Sequence, residues 1–182
     1  MIGQGFSETY MYLADQQIKK HDILYSGEDG VPKADDVMYV GAFVIDRPKE
    51  VKDILPFWAN KFMHHVTLAY QPPQELIDIL FNGVDTVPNP LDSILIGTES
   101  VAKVYRIIHD HLACTALVDI DFPCRNAYPH ITIGTAEGVK PYYSMELIQR
   151  HFTQDDSIFH SNMAFDIDVR IGVLLKNKGM RL

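Results

Sequence analysis

Tyr128-Pro129-His130-Ile131-Thr132-Ile133-Gly134 repeats a pattern set earlier in the chain by His65-Val66-Thr67-Leu68-Ala69-Tyr70, and the pair decides the fold. Both stretches read His-apolar-Thr-apolar. Alternation with period two and β-branched residues predict a strand in each. Positions i and i+2 of a strand share a face, so His65 and Thr67 point one way and Val66 and Leu68 the other. In the second copy His130 and Thr132 are set apart from Ile131 and Ile133 in the same manner. Each copy therefore packs two aliphatics inward and turns an imidazole and a hydroxyl outward. The histidines stand 65 residues apart, far enough for two similar halves of one domain. Halves that face each other bring two His and two Thr to one cleft.

The flanking sequence supplies strands and helices in mixed order. Residues 38–45 (MYVGAFVI) are apolar on both faces and predict a central strand, with Tyr39, Gly41 and Phe43 on one side and room above Gly41. A short helix follows Pro48 to about residue 55, ended by Pro56. Residues 74–81 predict a helix with Leu76, Ile77 and Leu80 as its packing face and Gly83 as its stop. Residues 84–90 read as a loop and 93–98 as a strand. Residues 101–108 fit either period and are assigned to strand on their β-branched and aromatic content. A strand over 115–122, a turn at 125–127 and a loop over 138–144 come next, then a helix over 145–152 capped by Ser144. Residues 165–175 alternate well and predict the last strand. Mixed order of this kind argues for an α+β fold with helices outside the sheets. Ahead of this domain, 38–182, lies an extension, 1–37: a helix over 8–20 capped by Ser7, with Met11, Ala14 and Ile18 in one stripe, then a polar loop.

Composition narrows the partners. The chain has 182 residues, enough for a buried core, with 47% apolar and 22% charged residues. A formal net charge of −8 repels a long polyanion unless basic residues cluster on one face. No long duplex nucleic acid is expected. Cys114 and Cys124 form no thiolate zinc pattern and read as two thiols in a reducing compartment. No apolar run has the length of a membrane span, and no membrane partner is expected; the protein reads as soluble and cytoplasmic. His109-Asp110-His111 lacks a third metal partner and reads as an exposed turn. His64 faces away from His65 and reads as structural or solvent-exposed. His21, His151 and His160 join no constellation.

On the two motifs, HHVTLAY at 64–70 and PHITIGT at 129–135, and on VKPYYSMELI at 139–148, the chain resembles the two-histidine phosphoesterase superfamily. Within it the likeness is to the cyclic phosphodiesterase domain of fungal- and plant-type tRNA ligases, over about residues 38–175. The resemblance implies a bilobal, pseudo-symmetric α+β fold: two antiparallel sheets, helices outside and a central cleft. It implies hydrolysis of a 2′,3′-cyclic phosphate at an RNA end or on a nucleotide, in RNA repair or processing. One histidine takes a proton from water and the other protonates the departing oxygen, which suits groups titrating near pH 6.5. Thr67 and Thr132 would donate to the non-bridging oxygens. The scheme requires no metal or cofactor. The sequence does not fix the roles; the reading taken is His130 as base and His65 as acid. Tyr39, Phe43, Tyr70 and Tyr128 are candidates to stack on a base, and Arg125, Lys140 and Ser144 to contact phosphate or ribose. Two alternatives stand beside this one. The first is cleavage of cyclic di- or oligonucleotide signals, as by phage proteins of the superfamily; the second is a module that binds a nucleotide without turnover.

Overall fold

The computed structural model describes residues 10–13, 16–19, 22–83 and 95–176. In chain order the elements are β1 (Tyr10–Leu13), β2 (Gln16–Lys19), β3 (Ile23–Leu24), β4 (Val37–Val44), α1 (Lys49–Lys52), β5 (Asn60–Lys61), β6 (His65–Tyr70) and α2 (Gln74–Asn82). They continue as β7 (Glu99–His109), β8 (Ala113–Ile120), β9 (His130–Thr135), α3 (Tyr143–Phe152), β10 (Phe159–Ser161) and β11 (Phe165–Leu175). The main sheet runs β5-β9-β8-β7-β11-β4-β6, with β10 added to β7 and β3 to β11. All its pairings are antiparallel.

From the β7–β11 contact the order runs β7, β8, β9 and β5 one way and β11, β4 and β6 the other, with a motif strand third from the contact on each side. Among the described residues, the two separate sheets implied by the resemblance are one nine-stranded sheet. The reason is strand length. β7 and β11 each have 11 residues, against 6 in each motif strand. One end of β11 (Phe165 to Arg170) pairs with β7, and the other (Val169 to Leu175) with β4.

Both motif strands carry the same irregularity. In the β4–β6 ladder Val40 faces Ala69 but Gly41 faces Thr67, so Leu68 is the extra residue of a bulge. In the β8–β9 ladder Cys114 faces Gly134 but Thr115 faces Thr132, so the extra residue is Ile133. A bulge after each motif threonine lets consecutive residues both turn inward: Leu68 with Ala69, and Ile133 with Gly134, are all buried. Gly134 is required by its neighbour. A Cβ there would lie 2.5 Å from the Trp58 side chain, so the indole packs directly on the backbone.

One continuous core draws on every long strand: Val40, Val66, Val104, Val118, Ile131 and Val169 belong to it, with Ile77 and Leu80 of α2. On the other side of β7 and β8, Leu147 and Ile148 of α3 cover Ile108 and Leu117. On the other face of β4, Tyr39 and Phe43 pack with Ile23 and Leu174. The room above Gly41 is taken by those two rings, whose atoms lie 3.2 Å from where a Cβ would be.

Four local expectations change. The described part of the predicted 8–20 helix is a strand pair, Tyr10↔Lys19 to Leu13↔Gln16. Its three-residue stripe was a short signal, and Tyr10 and Tyr12 favour strand; Ser7 lies outside the described residues. The 21–37 stretch is not all loop, since Ile23–Leu24 joins β11 and Ala34–Asp36 forms a 3-10 turn. The described part of the 93–98 strand, 95–98, is a turn closed by Thr98 N to Leu95 O at 3.2 Å, with Gly97 at φ 90°. The short helix after Pro48 stops at Lys52 and resumes as a 3-10 turn at Leu55–Phe57. The predicted 84–90 loop lies outside the described residues.

Candidate functional site

The two motif strands lie far apart in the sheet order, β6 at one end and β9 next to β5 at the other, yet the chain holds them together from both sides. Ahead of the first motif, Phe62 N and Met63 N donate to Ile133 O and Thr132 O of the second, at 2.9 and 2.8 Å. Ahead of the second, Arg125 N donates to Leu68 O at 2.9 Å, and Asn126 Nδ2 to Thr67 O at 3.2 Å. Each motif is thus tied by the segment that leads into the other. Met63, at φ 68°, makes the sharp step that carries the chain from β9 to β6. Between the strands opens a cavity of about 390 Å³ whose lining includes His65, Thr67, His130 and Thr132. That is within the range of small-molecule sites, roughly 300–1,000 Å³.

The two imidazoles are held differently. His65 stacks on Tyr39, with ring centroids 4.6 Å apart, and its Nδ1 lies 3.3 Å from the Tyr39 hydroxyl. Tyr39 is buried, and burial keeps its phenol protonated well above the usual range. A phenol donates to a neutral Nδ1 and accepts from a protonated one, so this contact tolerates either state of His65. His130 Nδ1 lies 2.9 Å from the Tyr128 carbonyl. A carbonyl only accepts, so Nδ1 carries the proton and neutral His130 keeps its lone pair on Nε2. Burial lowers the pKa of His65 to about 3, with the charge of His130 as a second cause. Burial also lowers His130, and the Tyr128 carbonyl opposes that shift. Both shifts favour the neutral form of the rings.

Thr132 is set by a chain of hydroxyls. Its Oγ lies 2.8 Å from Ser144 Oγ, which lies 2.6 Å from Thr115 Oγ. Run from Thr115 through Ser144, these bonds leave the Thr132 proton facing the Pro141 carbonyl at 3.5 Å, a long contact that a phosphate oxygen could replace. Ser144 is buried inside α3, beneath Thr132. It is not the cap expected from sequence, because the helix starts two residues earlier than that reading placed it, at Tyr143.

Of the other sequence candidates, Tyr39 and Tyr70 line the cavity. Phe43 lies behind, 5.7 Å from the His65 ring and 6.0 Å from Tyr39. Tyr128 is exposed and stacks on Phe152 at 4.3 Å, outside the cavity lining. Lys140 lines an adjoining cavity with Lys61, and Arg125 a small apolar one behind Leu68. The sequence reading missed Asn126, Tyr142 and Met145, all in the lining. Tyr142 and Met145 stood in the VKPYYSMELI stretch, and Tyr142 is now 73% exposed at the mouth. His64 lines the cavity too and is 3% exposed, so it is a buried residue. Asp110 also departs from the exposed-turn reading: it is buried, bonded to Leu112 N, Ala113 N, Tyr143 and Arg150. Among the described residues no His, Cys, Asp and Glu side chains are grouped to hold a metal ion, and no helix is long and apolar enough to cross a membrane.

A repeated motif strand, reciprocal backbone ties and imidazoles opposed across one cavity place the chain in the class of two-histidine domains. Its family follows from sequence comparison. The model of the fungal tRNA ligase phosphodiesterase domain matches residues 64–173, and the chain belongs to that family. No curated protein matches it. Solved structures do, among them one titled the crystal structure of a fungal RNA kinase, at 13% identity and a TM-score of 0.48. That match covers 78% of this chain and 46% of the other, so the chain spans less than half of that protein's length.

Proposed function

We propose that this chain is a metal-independent phosphodiesterase that opens a 2′,3′-cyclic phosphate at an RNA end or on a nucleotide, as part of RNA repair or processing in the cytoplasm. The observation that carries the reading is that His65 and His130, with Thr67 and Thr132, share one cavity. The catalytic domain is 38–182, two pseudo-symmetric lobes about the cleft, with 1–37 as an extension.

The chemistry follows from the hydrogen bonds. Neutral His130, with its lone pair on Nε2, takes a proton from water as the oxygen attacks phosphorus. The bond from phosphorus to one ribose oxygen breaks, and His65, protonated, gives its proton to that oxygen. The product is a phosphomonoester beside a free hydroxyl. His65 must first acquire a proton, and the negative charge of the bound phosphodiester favours that state. The Thr67 and Thr132 hydroxyls donate to the non-bridging oxygens, where charge grows in the transition state. Tyr70 and Tyr142, exposed at the mouth, offer stacking surfaces for the base.

A substrate panel in EDTA tests this. Nucleoside 2′,3′-cyclic phosphates, oligonucleotides with that end and cyclic dinucleotides are incubated with the protein, and products are assigned by phosphorus NMR. A phosphomonoester formed from the 2′,3′-cyclic ends is the expected result. Turnover confined to cyclic dinucleotides would favour the signal-degrading alternative, and tight binding with no product a binding module.

A further inference from the structure

The cavity is not the end of the polar and aromatic surface around it. Helix α3 starts at the cavity, where Met145 is part of the lining, and ends at Phe152. These two residues are seven apart, two turns along one face of the helix and roughly 10 Å along its axis. Phe152 there stacks on Tyr128, whose carbonyl holds His130. Both rings are exposed, at 42% and 40%.

Next to that stack, side chains from three elements converge. Arg106 on β7 has Nη1 3.1 Å from His151 Nε2, while its Nε donates to Asn162 Oδ1 at 3.0 Å. A guanidinium only donates, so His151 Nε2 accepts and its remaining N–H is a donor. The His160 ring of β10 lies 5.6 Å from that of His151. The result is a guanidinium beside two imidazoles, a set that presents hydrogen-bond donors. The charges of Arg106 and His160, after burial, hold His151 below its usual pKa, and an anion bound among them would relieve that repulsion. The chain as a whole is acidic, so a local cluster of this kind is what a phosphate would need.

We propose that the substrate is a single-stranded RNA several nucleotides long, whose upstream nucleotides run along α3, a base stacking at Tyr128 and Phe152 and a phosphate held by Arg106, His151 and His160. This rests on the catalytic reading above, since it takes the cyclic phosphate to lie between His65 and His130. At about 3.4 Å per stacked nucleotide, the length from Met145 to Phe152 corresponds to about three nucleotides.

The test compares kcat/KM for a nucleoside 2′,3′-cyclic phosphate with that for a five-nucleotide RNA of the same terminal residue. The wild type is expected to prefer the RNA by about tenfold or more. Phe152→Ala and Arg106→Gln should each lower the RNA value toward that of the mononucleotide, whose own turnover, and so the fold, stays unchanged. Arg106→Gln should also reduce the salt slope of the RNA reaction by about 0.7 per lost phosphate contact. Equal kcat/KM for both substrates in the wild type, or equal losses on both in the variants, would overturn the proposal. If neither substrate turns over, the catalytic reading fails by itself. The track is then decided by anisotropy with a labelled five-nucleotide RNA: weaker binding by Phe152→Ala and Arg106→Gln supports it, and unchanged binding rejects it.

Discussion

At the scale of single residues the site is two imidazoles with different second partners, a phenol for His65 and a carbonyl for His130. Both have pKa values lowered by burial, His65 to about 3. Because the reaction needs one proton on the pair, kcat/KM should pass through a maximum below pH 6.5 and fall as the pH rises beyond it. The kcat profile should lie at higher pH, since bound phosphate favours the imidazolium. A stopped assay from pH 4 to 9 reads both; a kcat/KM optimum above pH 8 would contradict the shared burial. Ser144 acts one step back, through Thr132. Ser144→Ala removes a neutral hydrogen bond of about 1 kcal/mol, so kcat should drop about fivefold, with KM little changed. Restored kcat in Ser144→Thr would separate a hydroxyl effect from damage to α3.

At the scale of elements, what was legible in the sequence is what alternation and residue type encode locally. The two motif strands, the central β4 and the long β11 could be read because each packs aliphatics at period two or on both faces, and β7 because its β-branched and aromatic content decided between two periods. So could α2, with Ile77 and Leu80 buried as its stripe requires. The N-terminal strands could not, since a three-residue stripe in a short window fits a helix as well. The bulges were invisible for another reason: nothing in His-apolar-Thr-apolar says that Leu68 and Ile133 are extra residues. They arise from where the ladder partners sit. The convergence of the four motif side chains was anticipated from the repeat, whereas Asn126 came to light only through its bond to Thr67, and Ser144, expected to touch phosphate or ribose, is fully buried and bonds Thr132 instead. Gly134 gives the element scale its test. Gly134→Ala puts a methyl into Trp58 and should cost about 1–3 kcal/mol of stability by overpacking. Urea unfolding measures it, and an unchanged midpoint would mean that Trp58 does not rest on this strand.

At the scale of the molecule, the sheet closes on itself through the chain, because β5 and β6, its two ends, are consecutive strands. The closure sets the gap between the histidines and excludes enough water to lower both pKa values. Folding therefore binds fewer protons at these rings than the unfolded chain does. Their contribution to stability is fully present above pH 6.5 and is lost as pH falls from there toward about 3. Thermal unfolding between pH 7 and 4 should show a falling midpoint, with a smaller fall in a His65→Phe, His130→Phe double variant; an identical fall in both would place the acid sensitivity elsewhere. The central claim is that the two imidazoles act as a unit on one phosphorus. Its most direct test is the hydrolysis rate of a nucleoside 2′,3′-cyclic phosphate in EDTA by the wild type, His65→Ala, His130→Ala and the double variant. The account predicts that each single change lowers kcat by about 10²–10⁴-fold and that the double variant is hardly worse than either. Wild-type activity in the double variant would contradict it.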